Sequence, residues 1–264
     1  MQAKQISQRW FLTAVVIGVA VLFALPFTRP WGWWGQAQSQ SQSKQLTFTI
    51  TVDKTKLLVG EPLKIHMVVR NETKDDLQLQ FSTSFRCAND LGVAISSDGG
   101  KTFQPYTSMA MLNAQEKLCV PAPFTLKPGE ERKGEEFISF HVASFDPATK
   151  VEGDFAFPKA GKYQIKMTLT PRPLPGVLES NIIEVEVVEP EGKDKEALAF
   201  IVDNQLKPFL TPEAELFPVT DETVQKLQEF LEKFPESTYA PYVRLGLEAI
   251  CKVSREEFPE ECQK

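Results

Sequence analysis

The chain has 264 residues, 29 of them basic and 35 acidic, for a net charge of −6, with 14 glycines and 19 prolines. The acid excess argues against a nucleic-acid partner and against electrostatic docking on an anionic membrane, because both need a basic face. Glycine and proline this sparse and scattered exclude a fibrous or disordered chain, and the length suits one large or two modest folded domains.

Lys4 and Arg9 precede an uncharged apolar run, residues 11–27. Basic residues in front of such a run keep the N-terminus inside and send the rest of the chain out of the cytoplasm. The run is longer than a signal peptide's apolar region of ~7–15 residues and shorter than a membrane span of ~20, so two fates stay open. Gly35 and Ala37 offer small residues to a signal peptidase, whereas Arg29, Trp31, Trp33 and Trp34 resemble the aromatic belt of a membrane interface. Residues 1–37 therefore read as a signal peptide or an N-terminal membrane anchor. The lack of a stop-transfer charge cluster favours cleavage after Ala37, giving a periplasmic or secreted body; otherwise the body is anchored to the inner membrane from outside the cytoplasm. Residues 38–44, a run of serine and glutamine, form a polar linker.

From residue 45 the pattern has a period of two. Leu46, Phe48, Ile50 and Val52 alternate with Thr47, Thr49 and Thr51, as a half-buried strand requires. Ile65, Met67 and Val69 mark a second strand, and Leu77, Leu79 and Phe81 a third. Residues 137–142 mark a fourth, Tyr163, Ile165, Met167 and Leu169 a late strand, and Ile183, Val185 and Val187 the last. Turn signals lie between them at 59–62, 71–76, 98–100, 127–130 and 158–161. Short alternating strands without helical interruption describe an antiparallel sandwich over residues 45–190. Residues 82–120 are the least regular and read as a long loop carrying an exposed-looking apolar set, Met109, Met111 and Leu112. The same methionines would equally serve to fill the core of an ordinary crossover.

After an acidic linker the period becomes about 3.6, marking residues 191–264 as an α-helical C-terminal domain. Ala197, Phe200 and Ile201 pattern one helix. Val224, Leu227, Phe230, Leu231 and Phe234 pattern the next, with Thr220 or Asp221 as N-cap. Ser237 is placed to cap a third, whose apolar set includes Ala240, Val243, Leu247 and Ile250.

Cys87, Cys119, Cys251 and Cys262 allow three disulfide pairings. Cys87 with Cys119 and Cys251 with Cys262 is preferred, because each half of the chain then closes on itself, and an exported chain is where such bonds persist. No close cysteine pair of the zinc-binding kind occurs, and His66 and His141 stand alone, so neither metal nor cofactor is expected. Nucleophile elbow, zinc-helix and phosphate-loop motifs are absent. The acid pairs Glu130-Glu131 and Glu135-Glu136 read as solvated charge.

Three segments resemble bacterial immunoglobulin-like domains: Leu58-Val59-Gly60-Glu61-Pro62-Leu63 with the strand ending at Asn71, Leu126-Lys127-Pro128-Gly129-Glu130, and Phe157-Pro158-Lys159-Ala160-Gly161-Lys162-Tyr163. The resemblance implies that the Tyr163 hydroxyl bonds back to nearby backbone. The antibody-type central cysteine pair and tryptophan are missing, so only the fold is implied. Ser96-Ser97-Asp98-Gly99-Gly100-Lys101-Thr102-Phe103 resembles an Asp-box, a hairpin device whose aspartate ties the turn; its single copy excludes a propeller. Residues 230–247, around Phe234-Pro235-Glu236-Ser237, resemble the helix-turn-helix joint of tetratricopeptide repeats, where small residues let the helices pack closely.

The expected fold is thus mainly β with an α tail: an immunoglobulin-like antiparallel β-sandwich and a small helical bundle with a tetratricopeptide-like helix pair. The expected function is a non-enzymatic extracytoplasmic protein of the cell envelope. Its partner would be a protein or peptide, without nucleic acid, and it would touch membrane only through an uncleaved N-terminal segment. The contact elements would be the 82–120 loop, with Met109, Met111 and Leu112, and the grooves of the helical tail. A secreted β-sandwich proteinase inhibitor, to which the 126–130 turn bears a weak similarity, is the alternative; an enzyme of another type comes last.

Overall fold

A computed structural model describes residues 45–87, 90–116, 119–146 and 150–253. Residues 1–44, expected to be leader and linker, lie outside the described residues, as does Cys262. In chain order the strands begin with β1 (Leu46–Val52), β2 (Lys56–Leu58), β3 (Leu63–Asn71), β4 (Leu77–Leu79), β5 (Leu91–Ser96) and β6 (Gln104–Tyr106). Helix α1 (Met109–Glu116) follows. Then come β7 (Phe124–Leu126), β8 (Glu131–Ile138), β9 (Phe140–Asp146), β10 (Lys150–Phe155), β11 (Gly161–Leu169), β12 (Leu178–Glu179) and β13 (Ile183–Val188). The helices α2 (Gly192–Asp203), α3 (Asp221–Lys233) and α4 (Ala240–Val253) complete the described chain.

The fold is mainly β with a helical C-terminal part. One sheet has the order β1-β3-β8 and a second the order β2-β13-β11-β5-β6, with β12 also paired to β11; β4 with β7 and β9 with β10 form two-stranded pairs. Pairing is antiparallel except between β2 and β13. The period-two reading explains this arrangement directly. Leu46, Phe48 and Ile50 from β1 and Ile65, Met67 and Val69 from β3 bury the same face, while the threonines between Leu46 and Val52 stay outside. Ile165, Met167 and Leu169 of β11 and Val185 and Val187 of β13 close the same core from the second sheet.

The expected long loop at 82–120 is a correction. It holds β5, β6 and α1, because Leu91 and Val93 alternate with half-buried residues and Ser108 starts a helix, its hydroxyl accepting from the Met111 N–H at 3.3 Å. Met109 and Met111 are therefore buried, 1% and 6% exposed, and Leu112 is half-buried. They fill cores instead of presenting an exposed contact set.

A second core joins Met109, Phe140, Val142 and Phe155 to the buried faces of α2, α3 and α4. The helices thus pack on the β9–β10 hairpin and α1, and the described residues fall in one compact unit. Thr220 caps α3 as expected, accepting from the Thr223 N–H at 3.2 Å. Ser237 does not cap α4, which begins three residues later. Instead Thr238 donates its N–H and hydroxyl to Asp194, each at 2.8 Å, and Tyr239 is buried with its hydroxyl donating to the Val59 carbonyl at 2.6 Å. Gly246 also differs from expectation: its missing side chain makes room for the Phe209 carbonyl, not for α3, since a Cβ there would lie 1.8 Å from that oxygen. Among the described residues no helix is long and apolar enough to cross a membrane.

Candidate functional site

The cysteine pairing Cys87–Cys119 is present, tying the 3₁₀ turn Phe85–Cys87 to the segment after α1. Cys251 is also disulfide-bonded. Other sequence-marked residues take structural roles. The Tyr163 hydroxyl donates to the Lys159 carbonyl at 2.9 Å, the back-bond implied by the immunoglobulin-like resemblance. Asp98 accepts from the Ser96 hydroxyl at 2.6 Å and the Thr102 N–H at 3.0 Å, closing the β5–β6 hairpin. His66 lies on the outer face of β3 between Asp53 and Glu135, and His141 accepts from the Thr107 N–H at 3.1 Å. Among the described residues no cluster of side chains has the make-up of a metal site.

Two features stand out that the sequence did not mark. The first is a seam beside β1, at the edge of its sheet. The Glu72 N–H donates to Gln45 and the Asn71 N–H to Glu130, so the odd-numbered residues of β1 bond toward β3 and the even-numbered ones face away. Ile50 shows what that free edge accepts. Its N–H donates to the Asn181 side-chain oxygen at 2.8 Å and its carbonyl accepts from the Asn181 amide nitrogen at 3.0 Å, so the side-chain amide stands where a neighbouring strand's peptide would. Two residues earlier, the N–H and carbonyl of Phe48 point the same way with no described residue bonding them. They open onto a groove lined by Leu46, Thr47, Phe48 and Thr49 on one side and by Pro171, Leu174, Pro175 and Val177 on the other. Val177 and Ile182, which follows Asn181, are among the exposed large apolar side chains. An unpaired strand edge is a template for another strand.

The second feature is a buried acid junction. Glu136, on β8, accepts from the Phe85 N–H at 2.8 Å, at the start of the disulfide-bonded turn. It is therefore not the solvated charge expected of the Glu135-Glu136 pair; burial raises its pKa. Glu135 points out and pairs with Lys64. Arg86 reaches across to the Pro212 carbonyl and the Glu215 carboxylate. Between them lies Glu213, buried in the turn 211–216, with Ser108 and the Ala110 N–H near one side of its carboxyl and Oε1 without a partner. Burial, reinforced by the facing charge of Glu136, pushes its pKa up to about 8. The Tyr106 hydroxyl is raised too, by burial first and then by Glu213.

No protein-family profile and no curated protein matches this chain. Among solved structures, a CARDB domain from Pyrococcus furiosus is similar at 14% identity, covering 54% of this chain and 87% of that domain, with a TM-score of 0.28. The sporulation control protein Spo0M of Bacillus subtilis is similar at 12% identity over 60% of this chain and 55% of that one, with a TM-score of 0.30. A β-glucosidase from Erythrobacter marinus is similar at 11% identity and a TM-score of 0.28, and the match spans only 15% of the enzyme's length. At these TM-scores none of the likenesses transfers a function.

Proposed function

We propose that this chain is a non-enzymatic binding module of the cell envelope, built on an immunoglobulin-like sandwich, that takes an extended segment of a partner protein as an added strand beside β1. The observation that carries this reading is the N–H and carbonyl of Phe48, unpaired among the described residues, two residues along from the pair that Asn181 occupies at Ile50. Main-chain groups in a groove call for main-chain partners, and strand addition supplies them. The apolar walls at Leu174 and Val177 suit alternate side chains of such a segment. The apolar run within residues 1–37, as a leader or tether, and the Cys87–Cys119 bond, which fits an oxidising compartment, support a place of action outside the cytoplasm. The helix pair α3–α4, joined through Pro235, is read as a tetratricopeptide-like second support.

Selection of short random peptides against the exported protein tests the reading. Bound peptides are expected to slow exchange of the Phe48 amide, and Val177→Asp is expected to weaken them at least about tenfold, roughly 1.4 kcal/mol, with the thermal midpoint unchanged. Peptides that bind while leaving the Phe48 amide as it was would overturn it.

A further inference from the structure

The seam leaves the acid junction unexplained, and the junction has a geometry of its own. Three separate stretches of chain meet there. Glu136 of β8 and Arg86 of the disulfide-bonded turn come from the sheet side, Ser108 and Ala110 from the start of α1, and Glu213 and Glu215 from the turn 211–216 that leads into the helices. That turn is wedged between α4, where Gly246 admits the Phe209 carbonyl, and the hairpin, where Phe217 packs edge-on against Phe140 at 5.8 Å. Among the described residues the positive group facing Glu213 is Arg86, which draws its pKa down but is itself bonded to Glu215 and Pro212. Tyr106 faces the cluster from β6 but spends its hydroxyl on Phe140 and Ser139. A carboxylate at Glu213 would keep the Ala110 N–H and Ser108 on one side but meet another carboxylate and lose its solvation, whereas a carboxylic acid would meet neither penalty.

We propose that Glu213 is a proton-operated latch: as the acid it holds the turn 211–216 against α1 and the disulfide-bonded turn, and on ionising it releases them. The sign follows from linkage. A carboxyl whose acid form is favoured in the closed state, and which ionises normally once open, stabilises closure fully below its ordinary pKa of 4.5 and loses that contribution progressively up to about 8. The latch is therefore tight in acid and loosens across the neutral range, leveling off above it.

Hydrogen exchange on the full-length protein, corrected for intrinsic rates, reads this directly. The opening constant for segments 107–116 and 209–217 is expected to rise by up to about tenfold per pH unit between roughly pH 5 and 8. Glu213→Gln, which fixes a neutral side chain of the same shape, is expected to remove most of the rise. Glu136→Gln is expected to move its upper end to lower pH. An equal pH-dependence in wild type and Glu213→Gln would overturn the latch, as would no dependence in wild type. If Glu213→Gln fails to fold, the carboxyl carbon resonance of Glu213 in the wild type decides: titration near 8 supports the latch, and titration near the ordinary 4.5 overturns it.

Discussion

The β5–β6 hairpin and the turn 211–216 each depend on one carboxyl group, and the two groups are driven in opposite directions. Asp98 faces water but is surrounded by donors, the Ser96 hydroxyl and the Thr102 N–H, which hold its pKa down to about 2. Glu213 is buried with Oε1 unpartnered and a second acid facing it, and is pushed up to about 8. Exposure alone would separate them less than this. What separates them is where donors are supplied: a tight hairpin folds its own main chain around the aspartate, while Glu213 relies on distant segments that bring too few. A local device and a tertiary one therefore fail under different conditions, and each can be broken without touching the other.

The largest effect is expected from Gly246→Val, which attacks the support of the turn. A Cβ at this position would stand 1.8 Å from the Phe209 carbonyl and 3.4 Å from the Ala214 Cβ. The neighbour is backbone and cannot rotate away, so the segment carrying Glu213 must leave its seat. We expect a loss of about 4 kcal/mol, read as early melting of the helical region in urea, with the hairpin amides still protected. If instead both regions lose protection together, the helical part and the sheets form one cooperative unit and the contrast between them is kinetic only.

Next in size is the acid itself. With one pKa unit worth about 1.4 kcal/mol, and allowing for water entering the opened junction, the raised pKa of Glu213 should lower unfolding stability by about 2–4 kcal/mol between roughly pH 5 and 8. Glu213→Gln should flatten that slope, leaving only the smaller share that Glu136 adds in the same direction. Equilibrium denaturation at a series of pH values measures it, and a slope unchanged in the variant would place the proton elsewhere.

How much of this was legible in the sequence follows the same division. Strands β1, β3, β11 and β13 were readable because their burial alternates residue by residue. The hairpin device and the Tyr163 back-bond were readable because donor and acceptor lie within a few residues. The short strands β2 and β12 were not, since two or three residues carry no period. Helix α1 was missed because eight residues with buried methionines on more than one side show no clean face. The open edge at Phe48 depends on which side Glu72 and Asn71 bond, and on Asn181 standing 131 residues from Ile50. The Glu213 junction gave no signal at all: Thr211-Pro212-Glu213 reads as an exposed turn, and only contact with Glu136 and Ser108, far along the chain, makes it dry.

The smallest effect tests the local side of the comparison. Asp98→Ala removes the acceptor that gathers the hairpin, so exchange of the Thr102 amide should quicken at neutral pH while segments 107–116 and 209–217 stay as they were. Because the folded pKa of Asp98 is depressed, its contribution is present above the ordinary 3.8 and is lost as pH falls through about 2. Wild type and variant should then converge in strong acid, the opposite end of the scale from the Glu213 window. Asp98→Asn separates charge from geometry: its side-chain oxygen still accepts from Thr102, so it should keep most of the protection if the hydrogen bond matters and lose it if the negative charge does. The contrast with Glu213 requires the second result, since a pKa held down to about 2 means that the hairpin's donors hold the charged acceptor more tightly than a neutral one.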